Sequence, residues 1–193
     1  LTAILFGATA GLLAFLLRML SRSGAATAAA LGAVIYFSGG WAWTIPMLAF
    51  FLPSSTLSVW TKRRRPDLSE IFEKGSQRDA WQVLANGGLF AAGAVITSLA
   101  PHALVAAAAL AALAGAAGDT WATEIGVISS QNPRLITSLQ EVPAGTSGGV
   151  TVAGTLAGCV GACSVAGAAL LLQISSGLAL PIDIGVEDGR DRR

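Results

Sequence analysis

Charge is what this sequence has least of. Only 12% of its 193 residues are Asp, Glu, Lys or Arg, while 53% are hydrophobic; a soluble domain carries about 25% charged residues. The net charge of +1 provides no overall field to attract nucleic acid. Histidine is nearly absent: the only one, His102, follows Pro101. The two cysteines, Cys159 and Cys163, lie four apart in one apolar stretch. A zinc site needs further ligands, so both read as small packing residues, with neither zinc nor a disulfide expected. A short basic region leading into an apolar core and cleavage site is also lacking at the start. Residues 1–20 therefore read as a first spanning helix rather than a signal peptide.

What the chain does have is long apolar blocks. A helix needs about 20 mostly apolar residues to cross a bilayer, and lipid cannot hydrogen-bond a peptide group, so such blocks must be helical. Six are expected, at residues 2–20, 25–43, 44–60, 79–99, 102–127 and 148–180. The fold class predicted is all-α, a polytopic membrane bundle of about six helices forming one domain over residues 1–180. Residues 181–193 read as a charged, disordered tail. Trp41 and Trp43 look like interfacial aromatics. Pro53, followed by Ser54, Ser55 and Thr56, suggests a kink or break. Those hydroxyls either satisfy the carbonyl that proline frees or belong to a site.

Alternating the connections across the membrane sorts the charges. One side receives Arg18, Arg22, Lys62, Arg63, Arg64, Arg65, Lys74, Arg78 and Arg134; the short connections of the other receive no Lys or Arg. Basic residues near membrane ends favour the cytoplasm. Loops 61–78 and 128–147 are therefore expected to be cytoplasmic, with both termini outside, in a plasma or other energy-transducing membrane. The run from Lys62 to Arg65 reads mainly as a topology signal and a surface for anionic membrane lipids.

Three motifs concentrate the polar groups on that side. In EKGSQRDAWQVLANGG, residues 73–88, the charges Lys74, Arg78 and Asp79 stand at the mouth of the fourth segment. Arg78, Gln82 and Asn86 share a helix face at spacings of four. Polar groups within a bilayer usually face a cavity; the alternative is interhelical hydrogen bonding with snorkelling cations. In GDTWATEIG, residues 118–126, Asp119 and Glu124 lie near a membrane boundary. Magnesium prefers one or two carboxylates with substrate oxygens. A spacing of five puts the pair about 140 degrees apart on a straight helix, so they share a ligand only if the helix breaks near Gly118; the alternative is that each pairs with Arg78 or Lys74 in a structural bridge. In VPAGTSGG, residues 142–149, Gly145, Gly148 and Gly149 free the backbone while Thr146 and Ser147 add hydroxyls. Amides leading into a helix make a phosphate site, although Gly-Ser loops are also common connectors.

At these motifs, the last extended to VPAGTSGGVTVAGTLAG, the chain resembles the domain of unknown function 92 family, which includes transmembrane protein 19 and the plant phytyl-phosphate kinase. The likeness extends over most of residues 1–180, including Ser23 to Ala25 and Ser54-Ser55. More loosely, that family is similar to CTP-dependent lipid kinases, which share a Gly-Asp helix start and a later Gly-Ser/Thr loop. The resemblance implies a kinase passing a phosphoryl group from a nucleotide, CTP first, to an isoprenoid monophosphate such as phytyl phosphate. It implies phosphate neutralisation by Lys74 and Arg78, with Asp79 at the same mouth. Mg²⁺ would sit on Asp119, with or without Glu124. Nucleotide phosphates would lie on Gly145, Thr146, Ser147 and Gly148, and head groups on Gln82, Asn86, Ser54 and Ser55. One departure is that the family carries a further apolar segment with an Asp and a Gly-Ala-Thr run after the sixth helix, where this chain reads DIGVEDGRDRR. A cytidylyltransferase making a CDP-lipid, and a small transporter, remain as alternatives.

Overall fold

The computed structural model describes residues 1–64 and 77–176. The fold is an all-helical membrane bundle with one very short hairpin. In chain order it comprises α1 (Thr2–Leu16), α2 (Arg22–Arg64), α3 (Ala80–Leu99), α4 (Ala103–Ile128), β1 (Arg134–Leu135), β2 (Gly149–Val150) and α5 (Val152–Ser176). Helices α2 to α5 are each long and apolar enough to cross a membrane. Their outward surfaces carry large apolar side chains such as Phe37, Leu89, Leu104 and Leu156, as a lipid-facing surface requires.

At 43 residues, α2 would be about 65 Å long if straight, about twice the hydrocarbon core. It does not stay straight. Gly40 takes φ 55 and ψ −147, and the chain doubles back there. Gly24 in the first arm and Ser58 in the second both meet Arg78: a Cβ on Gly24 would collide with the Arg78 carbonyl, and Arg78 Nη2 lies 3.4 Å from Ser58 Oγ. The two arms are thus an antiparallel pair, giving six helical rods among the described residues. Thr44 Oγ1 donates to the Gly40 carbonyl at 2.8 Å, satisfying an acceptor at the break.

The expected break at Pro53 is absent. Pro46 and Pro53 both sit inside helix, and Gly40 alone has non-helical angles within α2. Nor do the nearby hydroxyls serve the carbonyl that Pro53 frees, that of Ala49. Thr56 donates to Leu52 and Pro53 carbonyls, Ser54 Oγ accepts from Trp121, and the buried Ser55 hydroxyl has no hydrogen-bond partner among the described residues. Trp43 also differs from expectation. Only Trp41 faces outward, in an aromatic cluster with Phe6 and Tyr36. Trp43 is 4% exposed and lies in the core against Phe90, ring centroids 4.9 Å apart.

The backbone at Gly40 lies close to a region open essentially to glycine. Gly40→Ala is expected to lower stability by about 1–3 kcal/mol, read from thermal unfolding in detergent. An unchanged midpoint would mean that the reversal does not depend on this glycine.

Small residues bring the helices together. Gly7 and Gly11 of α1 meet Ala25, Ala29 and Ala33. Gly118 and Gly158 join α4 to α5, where a Cβ on either would stand 3.0–3.1 Å from the other's carbonyl oxygen. Without a hydrophobic drive between helices in lipid, such close backbone approach is a main source of association. Unlike the plain loop expected, residues 129–151 fold on themselves. β1 and β2 pair antiparallel, Arg134 opposite Val150. Arg134 and Glu141 form an exposed 2.6 Å ion pair, a class worth little stability.

Candidate functional site

The connections at one end of the bundle are stitched together. The Arg78 N–H donates to the Met19 carbonyl (3.3 Å) and the Ser21 N–H to the Arg78 carbonyl (3.1 Å). This ties the α1–α2 turn to the start of α3. Ser58 and Glu124 meet at the same end, as do Gly126 and Thr151. Among the described residues, all the basic side chains expected on one side stand there. Lys74 lies outside the described residues, as do Arg65 and residues 181–193.

Ser54, Ser58 and Thr61 recur at helical spacing and present one buried face of α2. Opposite lies the last part of α4. The Ser58 hydroxyl donates to Glu124 Oε1 at 2.5 Å, Thr61 Oγ1 to the Glu124 carbonyl at 3.4 Å, and Trp121 Nε1 to Ser54 Oγ at 3.2 Å. Arg78 enters from the side. Its Nη2 is 3.4 Å from both the Ser54 carbonyl and Ser58 Oγ, and its guanidinium lies 5.8 Å from the Phe50 ring centroid. Burial lowers the Arg78 pKa and the nearby Glu124 charge opposes that shift. Lys62 is also within electrostatic reach of Glu124 and Arg78. Among the described residues the cluster therefore holds two cations and one carboxylate. Arginine has five N–H donors; two long contacts leave most of them available to an anion.

The other residues of that motif divide. Asp79 and Gln82 form a capping box on α3: the Asp79 carboxylate accepts from the Gln82 N–H (2.9 Å), and Gln82 Oε1 accepts from the Asp79 N–H (3.1 Å). This local role needs no ligand, and Asp79-x-x-Gln82 before an apolar run is its sequence signature. Asn86, a turn further along, has no hydrogen-bond partner among the described residues and lines an internal cavity with Arg78.

The two carboxylates of α4 are not brought together. α4 runs unbroken from Ala103 to Ile128, because Gly118 serves close packing rather than a break. Glu124 points into the Ser58 cluster. Asp119 faces outward, without a partner among the described residues. It shares a helix face with Thr123, at i and i+4. No group of three or more His, Cys, Asp or Glu assembles among the described residues. Asp119 alone is suited to magnesium only if substrate oxygens complete the shell, which is the usual arrangement at phosphate sites.

Thr123 opens onto a cleft of about 240 Å³ between the end of α4 and the glycine loop, lined also by Val127, Pro133, Thr146, Ser147 and Thr151. Gly145 and Gly148 have φ of 88 and 78, conformations that suit glycine. The turn is closed by the Thr146 N–H and hydroxyl donating to the Pro143 carbonyl (3.2 and 2.8 Å) and the Gly149 N–H to the Thr146 carbonyl (3.0 Å). This leaves the N–H groups of Gly145, Ser147 and Gly148 unpaired among the described residues. Successive free amides on a turn make an anion-binding concavity. The Thr151 hydroxyl accepts from the Gly154 N–H at 3.0 Å and caps α5.

Ser58, Thr61, Lys62 and Trp121 are site residues that motif reading missed. Their signal was the Ser54, Ser58, Thr61 spacing, which the expected end of the third segment at residue 60 cut short.

The family model of the integral membrane protein family DUF92 matches residues 5–186. Protein PGR of Arabidopsis thaliana is 37% identical over 139 residues, covering 64% of this chain and 48% of that protein. Uncharacterised membrane proteins of Methanocaldococcus jannaschii and of Synechocystis are each 30% identical, over 148 and 131 residues. These cover 75% and 66% of this chain and 59% and 51% of the relatives. The chain thus spans about half the length of the curated relatives it matches. No solved structure matches it.

Proposed function

This chain belongs to the DUF92 family of integral membrane proteins, and we propose that it is a membrane kinase acting on an isoprenoid monophosphate. A phosphate oxygen of the acceptor attacks the γ-phosphorus of a nucleoside triphosphate, CTP in the first place. The bond from that phosphorus to the β-phosphate oxygen breaks, and the products are an isoprenyl diphosphate and CDP. The acceptor is already anionic, so positioning and charge neutralisation are the main requirements.

The carrying observation is the pairing of two anion-seeking elements at one membrane end. Arg78 has donors to spare on one flank of α4, and the Gly145–Gly148 turn presents three unpaired amides on the other. In this reading Arg78 holds the acceptor phosphate, with Lys74 as a second cation. The turn cradles the nucleotide phosphates. Mg²⁺ on Asp119 would neutralise their charge. Glu124 keeps Arg78 placed through Ser58 rather than binding metal.

The test is the purified protein in detergent with labelled CTP or ATP and phytyl or geranylgeranyl phosphate. The lipid diphosphate with CDP supports the kinase. A CDP-lipid with pyrophosphate would replace it with the cytidylyltransferase, and no turnover with any pair would sink both. Thr146→Ala is expected to raise the nucleotide KM only about threefold, since removing uniform binding acts on KM and the loop amides remain. A kcat loss of the size expected at Arg78 would put the hydroxyl in the transition state.

The basic ends that the fold gathers are proposed to face the cytoplasm. A reporter inserted after Lys62 should read as cytoplasmic and one at Pro101-His102 as external. The opposite result at either position would overturn this orientation.

A further inference from the structure

Arg78 stands at one end of a partly open cavity of about 80 Å³ between α1, both arms of α2 and α3. Its walls are apolar: Leu31 and Ile35 from the first arm, Met47 and Phe51 from the second, with Gly32 and Gly87 making room. A buried water occupies about 10–15 Å³ by this measure and needs two to four polar partners. The space would fit several waters, yet the wall offers few polar groups. Thr44 is already bonded to the Gly40 carbonyl. That leaves Arg78 at the mouth and Asn86, without a hydrogen-bond partner among the described residues, about 9 Å along α3 from its start at Ala80, at 1.5 Å per residue. An apolar hollow of this kind stays dry and accepts hydrocarbon. One end is cationic, the rest is apolar, and a single amide lies along the way; this is the outline of an anionic head followed by a chain.

We propose that this cavity receives the first carbons of a single-chain lipid monophosphate, with the phosphate on Arg78 and the chain running past Asn86 between Leu31, Met47 and Phe51. The assignment rests on the acceptor reading given above and adds where the chain lies and which residues measure it. The competing place is an open groove of about 570 Å³ on the outside of the bundle, between Trp60, Trp121, Ile125 and Val160. That groove contains no cation among its lining residues; Arg64 meets it at the edge, 5.1 Å from the centroid of the Trp60 ring, and photolabelling separates the two places.

Gly87 and Gly32 make the proposal testable. A Cβ on Gly87 would lie 3.2 Å from Met47 Cε and 3.6 Å from Leu31 Cδ1, both flexible ends, and one on Gly32 would only touch the Gly7 Cα at 3.6 Å. Gly87→Ala and Gly32→Ala should therefore narrow the cavity while the bundle stands. The full chain in detergent is photolysed with a diazirine-bearing farnesyl phosphate, and labelled residues are mapped by mass spectrometry. Expected are saturable labels on Leu31, Met47 and Phe51 that fall about tenfold in both variants, the scale on which a pocket discriminates by a methylene or more. Farnesol should label far less than its phosphate. Labels on Trp60, Trp121 or Val160, or undiminished cavity labelling in variants with wild-type melting temperature, would overturn the proposal. The kinase reading is scored separately on the same preparation. Labels in the cavity without phosphoryl transfer leave the cavity and remove the kinase; transfer with labels in the outer groove does the reverse.

Discussion

Arg78→Lys is expected to lower kcat by about 10²-fold, and Arg78→Ala by about 10³-fold, the range seen when a donor aimed at developing charge is removed. Lysine retains the charge but loses the planar fork that holds two oxygens at once. It also cannot reach both the Ser54 carbonyl and Ser58 Oγ, each 3.4 Å from Arg78 Nη2, while presenting a second nitrogen outward. The alanine variant is ambiguous by itself, because it leaves half-buried Glu124 with Ser58 and Lys62 alone, among the described residues, to balance it. Truncating one member of a buried charged cluster is destabilising in its own right. The lysine variant decides the point. Steady-state kinetics on folded protein should show the loss in kcat more than in KM if Arg78 meets charge that develops during transfer. Full activity in Arg78→Lys would refute the bidentate role and return Arg78 to a structural cation.

Asp119→Asn should abolish Mg²⁺-dependent turnover, a loss of about 10²-fold or more on the same scale, while leaving the melting temperature nearly unchanged. The second half of this expectation comes from its position. Asp119 faces outward on α4 with no partner among the described residues, and substitutions away from any interaction usually fall within about 0.5 kcal/mol. An outward carboxylate about 13 Å from the end of a spanning helix is costly in lipid, so it has a reason other than packing. Glu124→Gln is the control with the opposite signature, because its carboxylate receives the Ser58 hydroxyl inside the bundle. If Asp119→Asn turned over normally with its metal dependence intact, Asp119 would have no part in holding magnesium.

Much of the bundle was legible without coordinates, because the rules that govern it are local. Lipid compels an apolar stretch to be helical whatever its neighbours are, and basic residues mark one side by their distance along the chain from each apolar stretch. The helices, their order and the collection of Arg18, Arg22, Lys62 and Arg78 at one end follow from those two rules. The glycine loop was equally open to reading, since Gly145 and Gly148 announce positive φ by their side-chain absence. The Asp79–Gln82 capping box was also written locally, though its residues were assigned to a ligand instead.

Partners far apart in the chain were beyond such reading. The reversal in α2 sits at Gly40, near the expected join of residues 25–43 and 44–60, because glycine tolerates the angles the turn demands, whereas the backbone at Pro53 stays helical. Trp43 lies in the core because the reversal aims it at Phe90, whereas Trp41, two residues earlier, faces outward. Ser58 and Glu124 are 66 residues apart, and nothing local joins them. The sequence by itself determined that this is a membrane bundle with its polar chemistry at one end. The tertiary structure alone decided that Ser58 joins Glu124 to Arg78 while Asp119 faces outward, and that a cavity continues inward from that arginine. A helix presents every side chain to some direction, and only the packing of other helices settles which directions are wet, apolar or charged.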